Sequence, residues 1–316
     1  MATAELAPYI LHPPHLRQAV LAPLLAQNAV QKAELTLSLQ EDMPTAVLAP
    51  HSPAPPHLRL AVLAPLLAQN AVQKAELTLS LPEDLPLFVD DVVPDPGGIP
   101  GRPAKPELVS HTSLKSKPLT TPEGRAVLLH AIAHIELNAI DLALDVVWRF
   151  SGMPADFYKD WVQIAKEEAK HFLLLQQHLV SMGFDYGDFP AHHSLWEMAE
   201  RTQGDILARI GLVPRTMEAR GLDASPGVRN KLISAGDLVA GRILNIILKD
   251  EIGHVAAGNR WYRHVCQERG LDPIGTYRDL IKQYDAPKLK SPYNLQARRL
   301  AGFEEEELIY LAANGL

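Results

Sequence analysis

Six side chains in this chain have types and spacings that could hold metal: Glu136, Glu168, His171, Glu218, Glu251 and His254. They form one pattern used twice. Glu136 is followed 32 residues later by Glu168-x-x-His171, and Glu218 is followed 33 residues later by Glu251-x-x-His254. On a helix, positions i and i+3 share a face, so each Glu-x-x-His aims a carboxylate and an imidazole the same way. A Glu from each of two helices, with Glu-x-x-His from each of two others, is the inward-facing ligand set of a carboxylate-bridged two-metal site in a four-helix bundle. The chemistry such a site performs is redox chemistry at a pair of cations.

A single Glu-x-x-His is weak, because a surface Glu near a His gives the same spacing by chance. Here the pattern occurs twice, mid-helix and beside apolar positions. The two halves superpose along the chain at offsets of 82 (Glu136 to Glu218) and 83 (Glu168 to Glu251, His171 to His254). Glu136 also lies about as far before the first helix break as Glu168 lies after it, which places them level in an antiparallel pair. Burying four ionised carboxylates costs many kcal/mol unless cations compensate. Four carboxylates and two imidazoles without a thiolate suit two iron ions, with manganese the alternative, better than structural zinc. The expected arrangement has Glu168 and Glu251 bridging, Glu136 and His171 on one metal, and Glu218 and His254 on the other, with open positions facing a pocket for dioxygen.

Asp250 and Glu167 each precede a ligand and are candidates to orient the imidazoles; solvent exposure is the competing reading. His134 is two residues from Glu136 and so points elsewhere, as an ordinary partly buried histidine; His130 lies on the same helix. Glu197 and Glu200 rival Glu218 but come too early in their helix. Tyr158, Tyr262 and Trp261 could lie near the metals, with core packing the favoured role.

The elements that must position these residues are all helical. Thr121-Pro122 makes an N-cap and N1 pair, and the first bundle helix runs to about Phe150. The second runs from about Ala155 to Met182, stopping at Gly183. The third runs from about Ser194 to Arg220, kinked at Pro214 and ending at Gly221. Ser225-Pro226 opens a short helix, and Asp237 caps the fourth, which ends at Gly270. Residues 271–316 read as a tail of two short helices joined by a loop.

Upstream lies a tandem repeat. Residues 13–44 recur as 55–86 and differ only at Gln18/Leu60, Gln40/Pro82 and Met43/Leu85. Each copy reads as two short helices, interrupted in the first by Pro23 or Pro65 and capped in the second by Asn28 or Asn70. Two units are too few for a solenoid. One copy is expected to pack on the core, the other to be peripheral, swapped or poorly ordered. Residues 87–120 form a Pro/Gly-rich connector expected to wrap the bundle as an extended arm. The divisions are therefore 1–54, 55–86, 87–120, 121–270 and 271–316.

Composition limits the classes. The 316 residues are 47 % apolar, enough for a sizeable core. A formal charge of -7 disfavours sequence-independent binding to nucleic acid. Cys266 is the single cysteine, which excludes an intramolecular disulfide and a thiolate cluster and fits a reducing compartment. The first residues lack a signal-peptide pattern, and no uninterrupted apolar stretch reaches transmembrane length, so the expected location is the cytoplasm.

The stretches TPEGRAVLLHAIAHIELNAIDLALD, KEEAKHF, LVPRTMEARGLD and ILKDEIGHVAAGNRWY, with the tail NLQARRLAGF, resemble an uncharacterised ferritin-like family known as domain-of-unknown-function family 455. The likeness runs from about residue 100 to the end. It implies an all-α, ferritin-like four-helix bundle with an N-terminal helical arm and a C-terminal helical tail, and it supports the same six ligands. More distantly, the ligand pattern is similar to that of tRNA-modifying di-iron hydroxylases. The leading expectation is a di-iron carboxylate oxidoreductase that activates dioxygen to oxidise or hydroxylate a small-molecule substrate. A ferroxidase or iron-handling protein, and a metal-stabilised interaction protein without catalysis, are the alternatives. A tRNA partner is disfavoured by the acidic charge, no membrane partner is expected, and a homodimer is left open.

Overall fold

The first bundle helix shows how local sequence places the site. Thr121 Oγ1 accepts a hydrogen bond from the Gly124 amide at 3.0 Å, and Pro122 takes the first helical position, where a missing N–H costs nothing. Gly124 is required there, since a Cβ would lie 1.9 Å from the Pro118 carbonyl oxygen. The computed structural model describes residues 57–314. Within them are α1 (Leu58–Ala61), α2 (Leu63–Leu67), α3 (Ala71–Leu79), α4 (Pro122–Arg149), α5 (Ala155–Ser181), α6 (Ser194–Arg201), α7 (Ile206–Leu212), a π-helical turn (Val213–Glu218), α8 (Ala219–Ser234), α9 (Leu238–Glu268), α10 (Pro273–Gln283), α11 (Leu295–Leu300) and α12 (Glu305–Asn314). No strand forms among the described residues, and the fold is an all-α helical bundle.

The bundle is four antiparallel rods: α4, α5, the composite of α7, π-turn and α8, and α9. α4 and α5 turn at Gly152, which has φ +78°, and α5 stops at Gly183, at φ +85°. Asp237 caps α9 by accepting from the Ala240 amide at 2.9 Å. The core between the rods includes Leu129, Ile140, Ala165, Phe172, Ala208, Leu212, Ile247 and Tyr262. Among the described helices α4 alone is long and apolar enough to cross a membrane, yet most of it is enclosed by the bundle.

The third rod departs from expectation. The predicted single helix from Ser194 breaks after Arg201 and restarts at Ile206, where Asp205 caps it. The kink at Pro214 is a full π-turn. Gly221 does not end the helix, and Ser225-Pro226 does not start one; α8 runs through both. Pro226 removes the N–H that would serve the Leu222 carbonyl. Asn294 Nδ2, 72 residues away, donates to that carbonyl instead at 3.2 Å. The tail holds three helices rather than two, α12 being the addition.

The second repeat copy packs on the bundle, while the first lies outside the described residues. Its break falls at Val62, between α1 and α2, with Pro65 inside α2, and Asn70 caps α3 through the Gln73 amide at 2.9 Å. Arg59 and Lys74 anchor the copy. Arg59 donates to the carbonyls of Val147 (3.1 Å) and Trp148 (2.8 Å), the last-turn acceptors that α4 leaves unpaired. Lys74, 0 % exposed, donates to the Leu66 carbonyl at 3.0 Å and pairs with the buried Asp141. The connector then runs along the bundle by single contacts, including Gly101 N to Leu66 O (2.8 Å), Gly152 N to Val89 O (2.8 Å) and a bridge between Leu108 and Ala191.

Burial outweighs Lys74 and lifts the Asp141 carboxyl to about 6. Removing the ammonium strands that carboxylate in the core. Lys74→Met is therefore expected to destabilise the chain by about 3 kcal/mol. The midpoint of urea unfolding at neutral pH is the check.

Candidate metal centre

The site is built from the middle of four rods. Glu136 stands on α4, Glu168 and His171 on α5, Glu251 and His254 on α9, and Glu218 closes the π-turn. The two imidazoles lie 5.9 Å apart between ring centroids. His171 Nδ1 is 3.1 Å from Glu136 Oε2 and 3.4 Å from Glu168 Oε2. His254 Nδ1 is 2.9 Å from Glu168 Oε1 and 3.6 Å from Glu251 Oε1. Glu168 thus turns one oxygen toward each histidine. Ligand atoms of Glu136, Glu168, His171 and Glu251 all lie within 4.8 Å of one another, a buried group that could hold a metal ion.

Glu218 and His254 lie outside that group of four, though Glu218 is near enough to feel the charges of Glu251, Glu168 and His254. Its carboxyl is held well above the usual range by burial first and then by the charges of Glu251 and Glu168. Its Oε2 is enclosed without a hydrogen-bond partner, as are Glu168 Oε1 and His254 Nδ1. The last two sit 2.9 Å apart without the alignment of a hydrogen bond. Enclosed polar atoms left without hydrogen-bond partners at and beside this cluster fit residues that would hold a cation. The donor set, four carboxylates and two imidazoles, fits hard or borderline divalent ions.

Outside this ring the arrangement is crossed. His171 Nε2 faces Asp250 Oδ2 at 3.1 Å, and His254 Nε2 faces Glu167 Oε2 at 2.7 Å. Each carboxylate precedes the Glu of the other half, so each half orients the other's imidazole. Such a partner fixes a ligating histidine's tautomer and ring angle. Lys170 Nζ, 3.0 Å from Asp250, extends the chain to the surface; sequence reading missed it, because nothing in i,i+3 spacing marks an inter-helix partner 80 residues away.

Protons balance the site's charge. Burial disfavours the imidazolium of His171, but Glu136 and Glu168 overcome this and raise it to about 11. His254 is likewise raised, against burial, by Glu168 and Glu167. Burial would raise Glu168, yet His254 and His171 hold it well below the carboxylate range. Glu136 and Glu251 are raised, first by burial and then by Glu168.

The other candidates fall elsewhere. Glu197 is exposed, and Glu200 accepts from Trp196 Nε1 at 2.9 Å. His134 Nδ1 lies 2.8 Å from the Tyr186 hydroxyl, and His130 Nε2 accepts from the Gly187 amide at 2.9 Å. Burial lowers His134 to about 3 and His130 to about 4, so both are neutral packing groups. Tyr158 donates to the Phe150 carbonyl (2.9 Å), Tyr262 to Pro273 O (2.9 Å), and Trp261 Nε1 to Asp160 (2.8 Å). These are bonds of core and surface packing.

The family model described as "Protein of unknown function (DUF455)" matches residues 61–309. The chain belongs to this family. An uncharacterized protein of Haemophilus influenzae (strain ATCC 51907 / DSM 11121 / KW20 / Rd) is 45% identical over 228 residues, covering 70% of this chain and 79% of that relative. No solved structure matches the chain. The match spans all six candidate ligands together with Glu167 and Asp250.

Two outcomes follow from the charge balance. Because both imidazoles are raised, a cation must displace their protons, and affinity increases as pH rises toward their folded values. Titrating Mn(II) into weakly buffered protein at pH 7 should release at least about two protons per chain, read with a pH indicator. Glu218→Gln removes a carboxylate that the apo site already disfavours. It should leave apo thermal stability unchanged or higher while lowering Mn(II) affinity by at least about tenfold, measured by calorimetry.

Proposed function

We propose that the chain is a ferritin-like di-metal carboxylate oxidoreductase, using two iron ions, with manganese the alternative, to oxidise or hydroxylate a small organic substrate. One observation carries the reading: Glu168 directs its two oxygens at two histidines from different helices, with Glu136 and Glu251 alongside. A carboxylate so placed can bridge two cations, whereas one structural ion would need neither the second histidine nor the fourth carboxylate.

With the pair bound in its reduced form, hydroxylation would send four electrons to dioxygen, two from a substrate C–H bond and two from an external reductant, with one oxygen leaving as water. The chain's own residues supply the frame. Glu136 and His171 would hold one ion, Glu218 and His254 the other, and Glu168 with Glu251 would bridge. Glu167 and Asp250 would keep each imidazole's Nδ1 turned inward by accepting from Nε2–H. The enclosing apolar side chains, among them Phe172, Ile140 and Ile247, keep bulk water away and so strengthen every charge interaction within.

The deciding experiment is dioxygen consumption by anaerobically reduced, iron-loaded protein, with metal content measured per chain. Uptake at about two irons per chain supports the reading, and Glu168→Ala should abolish it. A reduced di-iron form that never consumes dioxygen sinks it. Many irons per chain in a shell-like particle would instead indicate iron handling.

A further inference from the structure

Glu218 ends the least regular stretch of the bundle, whereas Glu251 and His254 stand on the unbroken α9, and the C-terminal segment packs against both rods from outside. A π-turn is a rare interruption of an α-helix, and Pro214 withholds a donor within it. Three contacts compensate. Thr216 Oγ1 donates to the Gly211 carbonyl at 2.7 Å and accepts from the Tyr277 hydroxyl of α10 at 2.7 Å. The Arg215 side chain, 2 % exposed, ion-pairs with Glu307 of α12. Its guanidinium lies over the rings of Tyr277 (4.1 Å), Tyr262 (4.9 Å) and Phe303 (4.9 Å).

Beyond Glu218 the grip continues. Arg298 of α11 pairs with Asp223 at 2.7 Å, and Asn294 serves both the Leu222 carbonyl and, through its own amide, Asp223. A small apolar cluster separate from the main core joins Ala297, Ala301, Phe303 and Leu308 of the tail to Ala219, Leu222 and Val255. Ala219 adjoins Glu218, and Val255 adjoins His254. From the other side α9 closes on the turn, where a Cβ at Gly258 would meet Pro214 Cβ at 2.9 Å.

Arg215 Nε and Nη1 are enclosed without acceptors, and the space nearby is about 20 Å³, room for a single water. A buried cation left partly unpaired is costly unless the position does something else. That function is geometric, since Arg215 and Glu218 belong to the same turn.

We propose that the C-terminal segment is the positioning element for the Glu218, Glu251 and His254 half of the centre, acting through Arg215, Thr216 and the cluster behind Ala219 and Val255. Docking of the tail then decides, chiefly through Glu218, whether that half holds its ion, while every ligand of the other half stands on the unbroken α4 and α5. This rests on the two-metal reading above.

The test is a Co(II) titration of the full chain, read by calorimetry and by the visible d–d spectrum. Wild type should take two ions. Glu307→Gln and Tyr277→Phe should each keep one ion within about twofold of wild-type affinity and weaken the other by at least about tenfold, with loss of one spectral component. Glu305→Gln, which removes only the exposed pair with Arg299, should match wild type. If Glu307→Gln fails to fold, Tyr277→Phe, which deletes one hydroxyl, decides. Two ions at wild-type affinity in these variants, or equal weakening of both, overturns the proposal. Wild type binding no Co(II) overturns the metal centre itself and is distinguished by that arm alone.

Discussion

Four carboxylates enclosed within reach of one another's charge in a helical bundle are the constraint around which this molecule is built. Their mutual repulsion and lost hydration must be offset within a few ångströms. Protons contribute to this: the imidazoles of His171 and His254 are raised against burial, Glu168 is held ionised by them, and Glu136, Glu218 and Glu251 are pushed toward neutrality. A centre charged in this way gives up protons when it takes cations. Rods whose backbone bonds are closed internally make it feasible, because no main-chain donor or acceptor competes for the same space.

α4 carries a second buried polar face, and it explains the attachments around the bundle. His130, His134, Asp141 and Asp145 are all buried on a helix otherwise rich in apolar residues. The first three are answered from outside the four rods, and Asp145 from within them. The connector after α5 brings Tyr186 to both histidines, the arm brings Lys74 to Asp141, and Asp145 receives Arg149 and the buried Arg209. Arg59 takes the carbonyls at the end of the same helix. The arm is therefore more than a flanking segment: without it, α4 would present a charge and unpaired carbonyls to a partly apolar surface. One face of α4 is balanced by fixed cationic side chains and the other by whatever occupies the centre.

What the sequence disclosed divides along the range of the interactions. The Thr121, Asp237 and Asn70 caps and the stops at Gly183 and Gly270 depend on residues within a turn or two, and all were legible; of the ligand pattern, the structure groups Glu136, Glu168, His171 and Glu251. The crossed partners Glu167 and Asp250 were visible as candidates, but their exchange between halves was not, because it depends on how α5 and α9 face each other. The third rod misled for the same reason. Gly221, Ser225 and Pro226 are local stop and start signals, yet Asn294 supplies the hydrogen bond that Pro226 cannot, and Arg298 holds Asp223 one turn earlier. Tertiary contact thus overrode propensity where the compensating donor lay 72 residues downstream. The first repeat copy, nearly identical to the docked one, lies outside the described residues, so its expected fate has no structural counterpart here.

The two halves of the centre match in sequence but not in depth. Glu136 stands 13 residues before the end of α4 at Arg149, and Glu168 stands 13 after the start of α5 at Ala155, so the first pair is level by simple counting. In the second pair Glu218 stands 16 residues before the end of α8 at Ser234, whereas Glu251 stands 13 after the start of α9 at Leu238. On ideal helices that excess of three residues displaces Glu218 by about 4.5 Å along its rod, nearly a full turn. The π-turn lies upstream of Glu218 and leaves that depth as it is; what its wider winding changes is the phase between α7 and α8. The sequence symmetry of the ligands therefore conceals an asymmetry of support: five of the six stand on unbroken helices, and Glu218 alone ends a local distortion that contacts from the tail hold in place.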